Sequence, residues 1–209
     1  MRKGDVMTML SGVILAGGTN RRMHGERMAL LPFGGKPMIA RQLDRMQGIC
    51  EELIVVTPDP KPYLHIVHRS VRIITDFYEG HGPLGGMHAA LSLAKHSSVW
   101  IVGCDMPFIS SKAAELLLER KRDGLEAVVP MIAGEIYPLH GIYDRVCAPH
   151  IVPLLHQGET QLSSLLKHVF WSELGDQFLY ENGVDLNFVS RIKTVEDYEA
   201  MKRFEALQS

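Results

Sequence analysis

The sequence predicts an α/β fold built on a mostly parallel sheet. Two observations carry that expectation. Short apolar runs alternate with segments of helical spacing through the first 130 residues, the pattern of a parallel sheet covered on both faces. Three of those runs end directly in glycine or acidic residues, and strand ends are where open α/β sheets bind ligands.

The elements follow in order. Gly12 to Ala16 (GVILA) is a short apolar run closed by glycines and reads as a buried strand. Residues 38–48 place Met38, Ile39, Leu43 and Met46 at helical spacing, with Gly48 as a stop. Glu52 to Thr57 is a second strand, ended by Pro58, Pro60 and Pro62, which cannot continue a ladder. Val71 to Thr75 is a third. A glycine-rich loop over 76–84 leads into a helix from about Gly85 to Lys95. Val99 to Gly103 is a fourth strand. Ser110 or Ser111 caps the next helix, which ends near Gly124, and Ala127 to Met131 is a fifth strand. The alternation then weakens: Leu139 to Tyr143 reads as a possible strand, and short helices are expected around 145–156 and 161–168. Thr194-Val195-Glu196-Asp197 fits a capping box for a last helix with Tyr198, Met201 and Phe204 on one face.

Composition excludes several classes. The 209 residues suit one large domain, or at most two small ones, and are enough to bury a sizeable core without staples. Lys plus Arg total 22 and Asp plus Glu 24, a net charge of -2, which lacks the cation surplus of a nucleic-acid binder or a polybasic membrane protein. Cys50, Cys104 and Cys147 are odd in number and far apart, so a reduced, cytoplasmic setting fits better than a disulfide or zinc framework. The basic start, Met1-Arg2-Lys3, is not followed by the apolar stretch of a signal peptide, because Gly4, Asp5, Thr8, Ser11 and Gly12 interrupt it. No apolar run approaches a membrane span. The ten histidines form no metal set; His65 and His68 are spaced i, i+3 but lie in a proline-bounded segment.

Chemistry is expected at three strand ends. Leu15-Ala16-Gly17-Gly18 leads into Arg21, Arg22 and Arg27, with Lys36 in a second turn, Gly34-Gly35-Lys36-Pro37. Glycine amides after a strand, backed by cations, suit an anion such as phosphate. The spacing matches neither GxGxxG nor GxxxxGK[ST]. The plain alternative is a tight turn with solvated arginines. The second place is Asp76 followed by His81-Gly82-Pro83-Leu84-Gly85-Gly86, small residues able to lie against a planar base or ribose. The third is Gly103-Cys104-Asp105-Met106-Pro107, where an acidic residue after a buried strand is placed to hold a divalent cation. The alternatives are an acidic turn residue at Asp76 and an acidic helix-start residue at Asp105.

Together these segments resemble the molybdenum cofactor guanylyltransferase (MobA) family of the nucleotidyltransferase superfamily. The resemblance rests on VILAGG, RM and ALLPFGGKPMI between Val13 and Ile39. It continues through Thr75-Asp76, GPLGGMHAAL at Gly82 to Leu91, VGCDMPFIS at Val102 to Ser110, PLHGIY at Pro138 to Tyr143 and TVEDYEAM at Thr194 to Met201. It covers nearly the whole chain in order. It implies a single-domain, Rossmann-like three-layer sandwich of the nucleotide-diphospho-sugar transferase type. About 10–130 would form the nucleotide-binding half and 131–209 the molybdopterin-side half. The implied reaction transfers GMP from Mg-GTP to molybdenum-molybdopterin and releases pyrophosphate. Leu15, Ala16, Gly17, Gly18, Arg27, Asp76, Gly82, Pro83 and Leu84 would bind nucleotide. Asp105 would bind Mg2+, and Arg22 and Asp105 would be catalytic. Cofactor-biosynthesis proteins or acceptor molybdoenzymes are the implied partners.

Three positions depart from the family pattern. Met28 stands where DKALL has lysine, and a thioether cannot neutralise phosphate. Arg191 and Lys193 stand where an NxNTPEDL-like stretch has asparagines. With Lys36, these two cations are the candidates for the phosphate side. The alternatives are a protein that binds molybdopterin or nucleotide without turnover, and a nucleotidyltransferase using another base or acceptor.

Overall fold

Strand β1 (Leu10–Leu15) is buried along its whole length, because apolar side chains on both of its faces meet a helix layer. This computed structural model describes residues 9–17, 26–78, 80–121 and 124–208. The expectations placed on Met1 to Lys3, Gly18, Arg21 and Arg22 fall outside the described residues.

A 3-10 turn at Met28–Leu30 leads to a two-stranded hairpin, β2 (Pro32–Phe33) and β3 (Lys36–Pro37). Its two loop residues, Gly34 and Gly35, have φ of 58° and 80°, the left-handed pair that a tight hairpin of this length requires. Then come α1 (Met38–Met46), β4 (Glu52–Val56), β5 (Arg72–Ile74) and α2 (Gly82–Leu93). Helix α2 starts three residues earlier than its apolar spacing suggests, since Pro83 in the first turn has no N–H that an intrahelical bond would need. Next are β6 (Ser98–Gly103), α3 (Ser111–Arg120), β7 (Ala127–Ile132), β8 (Glu135–Ile136) and β9 (Gly141–Asp144). The Ser110 side chain caps α3 by accepting the Ala113 N–H at 3.1 Å.

The second half is more regular than its sequence suggests. Helix α4 (Ala148–His156) and a 3-10 segment at Leu162–Lys167 match expectation. Strand β10 (Trp171–Gly175) and helix α5 (Asp176–Glu181) were not expected. β10 is an edge strand with only Leu174 buried, so no apolar run announces it. Helix α6 (Val195–Gln208) closes the described chain, and its capping box forms: Thr194 Oγ1 accepts the Asp197 N–H at 3.2 Å and Asp197 Oδ2 accepts the Thr194 N–H at 3.0 Å.

The main sheet has the order β10-β7-β9-β6-β1-β4-β5, with β8 on β7. β1 is parallel to β4 and β6, β4 to β5, and β7 to β10; β9 runs antiparallel between β6 and β7. Two glycines show the layers. A Cβ on Gly12 would stand 3.2 Å from Met46 of α1, whereas Leu15, on the opposite face by parity, touches Gly86 of α2. Helices α1 and α2 therefore cover opposite faces, as a three-layer sandwich requires. One apolar core runs from Leu10 to Val189. A smaller cluster of Met28, Phe33, Met38, Ile192 and Tyr198 fastens α6 to the hairpin.

Candidate active site

The carboxyl ends of β1, β4 and β6, the loop after β5 and the start of α2 surround one cavity of about 750 Å3. Leu15, Gly17, Asp76, Gly82, Pro83, Gly103, Cys104 and Asp105 line it, together with Met28, Val56, Thr57, Pro58, Leu139 and Arg191. The three strand ends singled out by sequence thus converge on one space.

Each wall is fixed by local bonds. The Cys104 N–H donates to Leu15 O at 3.1 Å and the Ala16 N–H to Val56 O at 2.8 Å, so adjacent strands end level. Asp76 Oδ1 accepts the Tyr78 N–H at 2.8 Å. A Cβ on Gly85 would lie 2.6 Å from Asp76 Oδ2, so the glycine lets this carboxylate approach the first turn of α2. Gly82 has φ of 60° and its N–H end of the helix opens on the cavity, a position favourable to anions and to electron-rich ring edges.

Asp105 is held most firmly. The buried Gln42 of α1 donates through Nε2 to Gly103 O at 2.8 Å and to Met106 O at 2.9 Å, clamping the loop from beneath. The Ile192 N–H donates to Asp105 O at 2.8 Å. Arg191 donates from Nε to Asp105 Oδ2 at 2.8 Å, and its Nη2 stands 2.7 Å from the same oxygen as an ion pair. Asp105 Oδ1 lies over Gly103, where a Cβ would come within 2.5 Å of it. The neighbouring Cys104 thiol is pushed up to about 12 by burial, reinforced by the Asp105 charge. At that value the thiol is protonated at neutral pH.

Other residues expected at the site lie elsewhere. Arg27 pairs with Asp59 at 2.7 Å and is not among the lining residues, so its charge is spent on the loop after β4. Lys36, on the hairpin, pairs with Asp44 of α1 at 2.6 Å, far into solvent. Lys193 is exposed and also absent from the lining; its N–H joins the α6 cap at Asp197. Leu84 is buried in the core, and Ala16 is 4% exposed and not among the lining residues, its carbonyl accepting the Tyr63 hydroxyl at 3.4 Å. Among the described lining residues Arg191 is the one Lys or Arg. Met28 does border the cavity, but it is 4% exposed and packs into the small apolar cluster. Gln42 is the positioning residue that sequence reading missed. Its signal was a polar residue on the apolar face of α1, four places from Met38 and from Met46.

Asp105 fits one kind of cation site. It leaves Oδ1 without a hydrogen-bond partner among the described residues while Oδ2 faces Arg191. One carboxylate oxygen completed by phosphate oxygens and water suits magnesium. Among the described residues no group of three His, Cys, Asp or Glu gathers to hold a metal by itself.

A ligand cavity at the carboxyl ends of parallel strands, walled by glycine turns, the carboxylates of Asp76 and Asp105 and one guanidinium, defines a ligand-binding α/β protein of the open-sheet type. The model of the MobA-like NTP transferase domain matches residues 12–174, and the chain belongs to that family. It is 30% identical over 193 residues to the molybdenum cofactor guanylyltransferase of Desulfosudis oleivorans, covering 92% of this chain and 94% of that one. It is 36% identical over 141 residues to a probable molybdenum cofactor guanylyltransferase of Pelotomaculum thermopropionicum, covering 68% and 66%. Among solved structures, the molybdopterin-guanine dinucleotide biosynthesis protein A of Archaeoglobus fulgidus superposes with a TM-score of 0.79 at 23% identity, covering 94% of this chain and 98% of that one.

Proposed function

We propose that this chain transfers GMP from GTP to molybdopterin carrying molybdenum and releases pyrophosphate. The single observation that carries the reading is the convergence of Gly17, Asp76, Gly82 and Asp105 on one strand-end cavity, in a chain whose full-length relatives bear the guanylyltransferase name. A phosphate oxygen of molybdopterin attacks the α-phosphorus of GTP. The bond from that phosphorus to the bridging oxygen breaks, and its electron pair leaves with pyrophosphate. No protein nucleophile is required, which agrees with the protonated Cys104; positioning and electrostatics do the catalysis.

The residues divide the task. Gly17 and the first turn of α2 at Gly82 and Pro83 offer close backbone approach to the nucleotide, with Leu15 beneath it. Asp76 supplies acceptors for the base or ribose. Asp105 is the residue that would hold Mg2+, which neutralises phosphate charge as pyrophosphate leaves. Arg191 presents a cation to the same phosphates. Gly18 as a nucleotide-binding residue and Arg22 as a catalytic one belong to this reading on the sequence resemblance alone. The nucleotide half is about 10–130, and 131–209 contributes Leu139 and Arg191 to the cavity and supplies the acceptor side. The chain works in the cytoplasm, where its three free cysteines stay reduced, next to proteins that make the cofactor or receive it.

The test is pyrophosphate release from GTP with magnesium and molybdenum-loaded molybdopterin. Release with GTP and not with CTP, UTP or ATP is the expected result. Equal or better release with a pyrimidine nucleotide overturns the guanylyl assignment. Burial of Met28 favours a second reading, a protein that binds without turnover, because the described cavity then carries a single cation. Under that reading the wild type releases no pyrophosphate and Met28→Lys does.

A further inference from the structure

Arg191 turns Nε and Nη2 to a single oxygen, Asp105 Oδ2, with Nε–H donating at 2.8 Å and Nη2 in ion-pair contact at 2.7 Å. This is an unusual use of a guanidinium, whose fork matches both oxygens of a carboxylate. It leaves Oδ1 turned over Gly103. The contact does not hold the tail in place: the Ile192 N–H bond to Asp105 O and the burial of Ile192 at 1% exposure do that. The Arg191 side chain is 42% exposed, so the bond is open to solvent and readily exchanged.

We propose that Arg191 is a resident counter-ion that closes Asp105 to free divalent metal, so that metal enters only together with the nucleotide. A fixed guanidinium within 2.8 Å of Oδ2 repels a dication approaching the same carboxylate. It also cancels the charge with which a bare Asp105 would repel an incoming triphosphate. Once a triphosphate arrives, its oxygens are the stronger partner for the guanidinium. Arg191 then turns to the phosphates, and the whole Asp105 carboxylate, Oδ1 first, is left to the cation that travels with them. The inference rests on the nucleotide reading of the cavity, but it assigns a property the transferase reaction does not itself require.

The experiment measures Mn2+ binding to the full chain by isothermal titration, with metal alone and no nucleotide. Wild type is expected to bind weakly, and Arg191→Ala at least about tenfold more tightly, because the like charge is gone. Adding Asp105→Asn to Arg191→Ala should remove the gain. Arg120→Ala deletes the same charge at the far end of α3, where Arg120 reaches Ser172 of β10, and should bind as wild type does. The result that overturns the proposal is a gain of less than about twofold for Arg191→Ala, a gain that survives Asp105→Asn, or an equal gain for Arg120→Ala. A melting curve checks that each variant is folded. Should Arg191→Ala unfold, Arg191→Gln carries the same comparison, since its amide is neutral and two of the three methylenes of its stem are kept. Because no GTP is used, a failed transferase assay would leave this comparison readable.

Discussion

At the scale of single residues, the site depends on what glycines and buried polar groups permit. Gly103 ends β6 with no side chain because Asp105 Oδ1 and Leu139 stand 2.5 and 3.1 Å from where a Cβ would be. Gly103→Ala should displace Asp105, lowering pyrophosphate release at least about tenfold while costing roughly 1–3 kcal/mol, as measured by steady-state assay and denaturant titration. His140 is a second case. It is fully buried with φ of 68°, accepts the Ser110 N–H on Nε2 at 2.9 Å, and lies between Trp100 and Phe188. Burial lowers its pKa from 6.5 to about 3. The unfolded chain therefore binds this proton first, so its stabilising share is complete above pH 6.5 and is lost as pH falls towards 3. The slope over that window is about 1.4 kcal/mol per pH unit. His140→Asn, which tolerates the left-handed backbone, should flatten the stability profile there. A slope equal to wild type would show that another group carries the acid sensitivity. Asp105 and Asp76 were legible because they follow apolar runs. Arg191 was legible as a cation but not as a partner of Asp105, since nothing in spacing relates positions 86 apart.

At the scale of elements, the last helix decides how the site is finished. Helix α6 lies on the hairpin of β2 and β3. The Tyr198 hydroxyl donates to Pro32 O, Glu205 pairs with Arg41, and Phe108 stands between Phe33 and Phe204, 5.6 Å from each. These contacts hold α6 in place, and the Ile192 anchor on Asp105 O delivers Arg191. Tyr198→Phe leaves the Pro32 carbonyl without its donor and should cost about 1 kcal/mol in chemical denaturation. Metal and nucleotide affinity should weaken little, since Ile192 stays anchored. The capping box made this helix readable in advance. Its docking face was not, because Tyr198, Met201 and Phe204 name a stripe without naming what it covers. The same limit hid β10 and α5, in which only Leu174 and Leu179 are buried.

For the molecule as a whole, the two ends of the sheet do different work. The carboxyl ends carry the cavity. Towards the amino ends, Glu52 is buried and accepts from Ser11 Oγ at 2.6 Å, from the Lys95 N–H at 2.7 Å and from Arg72. Burial alone would raise its pKa, but the Lys95 and Ser11 bonds and Arg72 outweigh that and hold it below 4.5. A depressed carboxylate stabilises the fold above its unfolded value, and that share is lost as pH falls from 4.5 through the folded value. Glu52→Gln should cost about 2 kcal/mol at neutral pH, with a smaller wild-type-to-variant gap below pH 4 in urea titrations, and should leave nucleotide affinity unchanged because the site is at the other end. The parallel sheet was readable from period and length in the first 130 residues. The antiparallel β9 between β6 and β7 was not, because strand direction leaves no mark on a four-residue strand, Gly-Ile-Tyr-Asp. The bond from Arg191 to Asp105 also has a consequence for synthesis. At about 5–20 residues per second a ribosome needs roughly 4–17 s to travel the 86 positions between them. For that interval every newborn chain carries an Asp105 whose guanidinium has not yet been made.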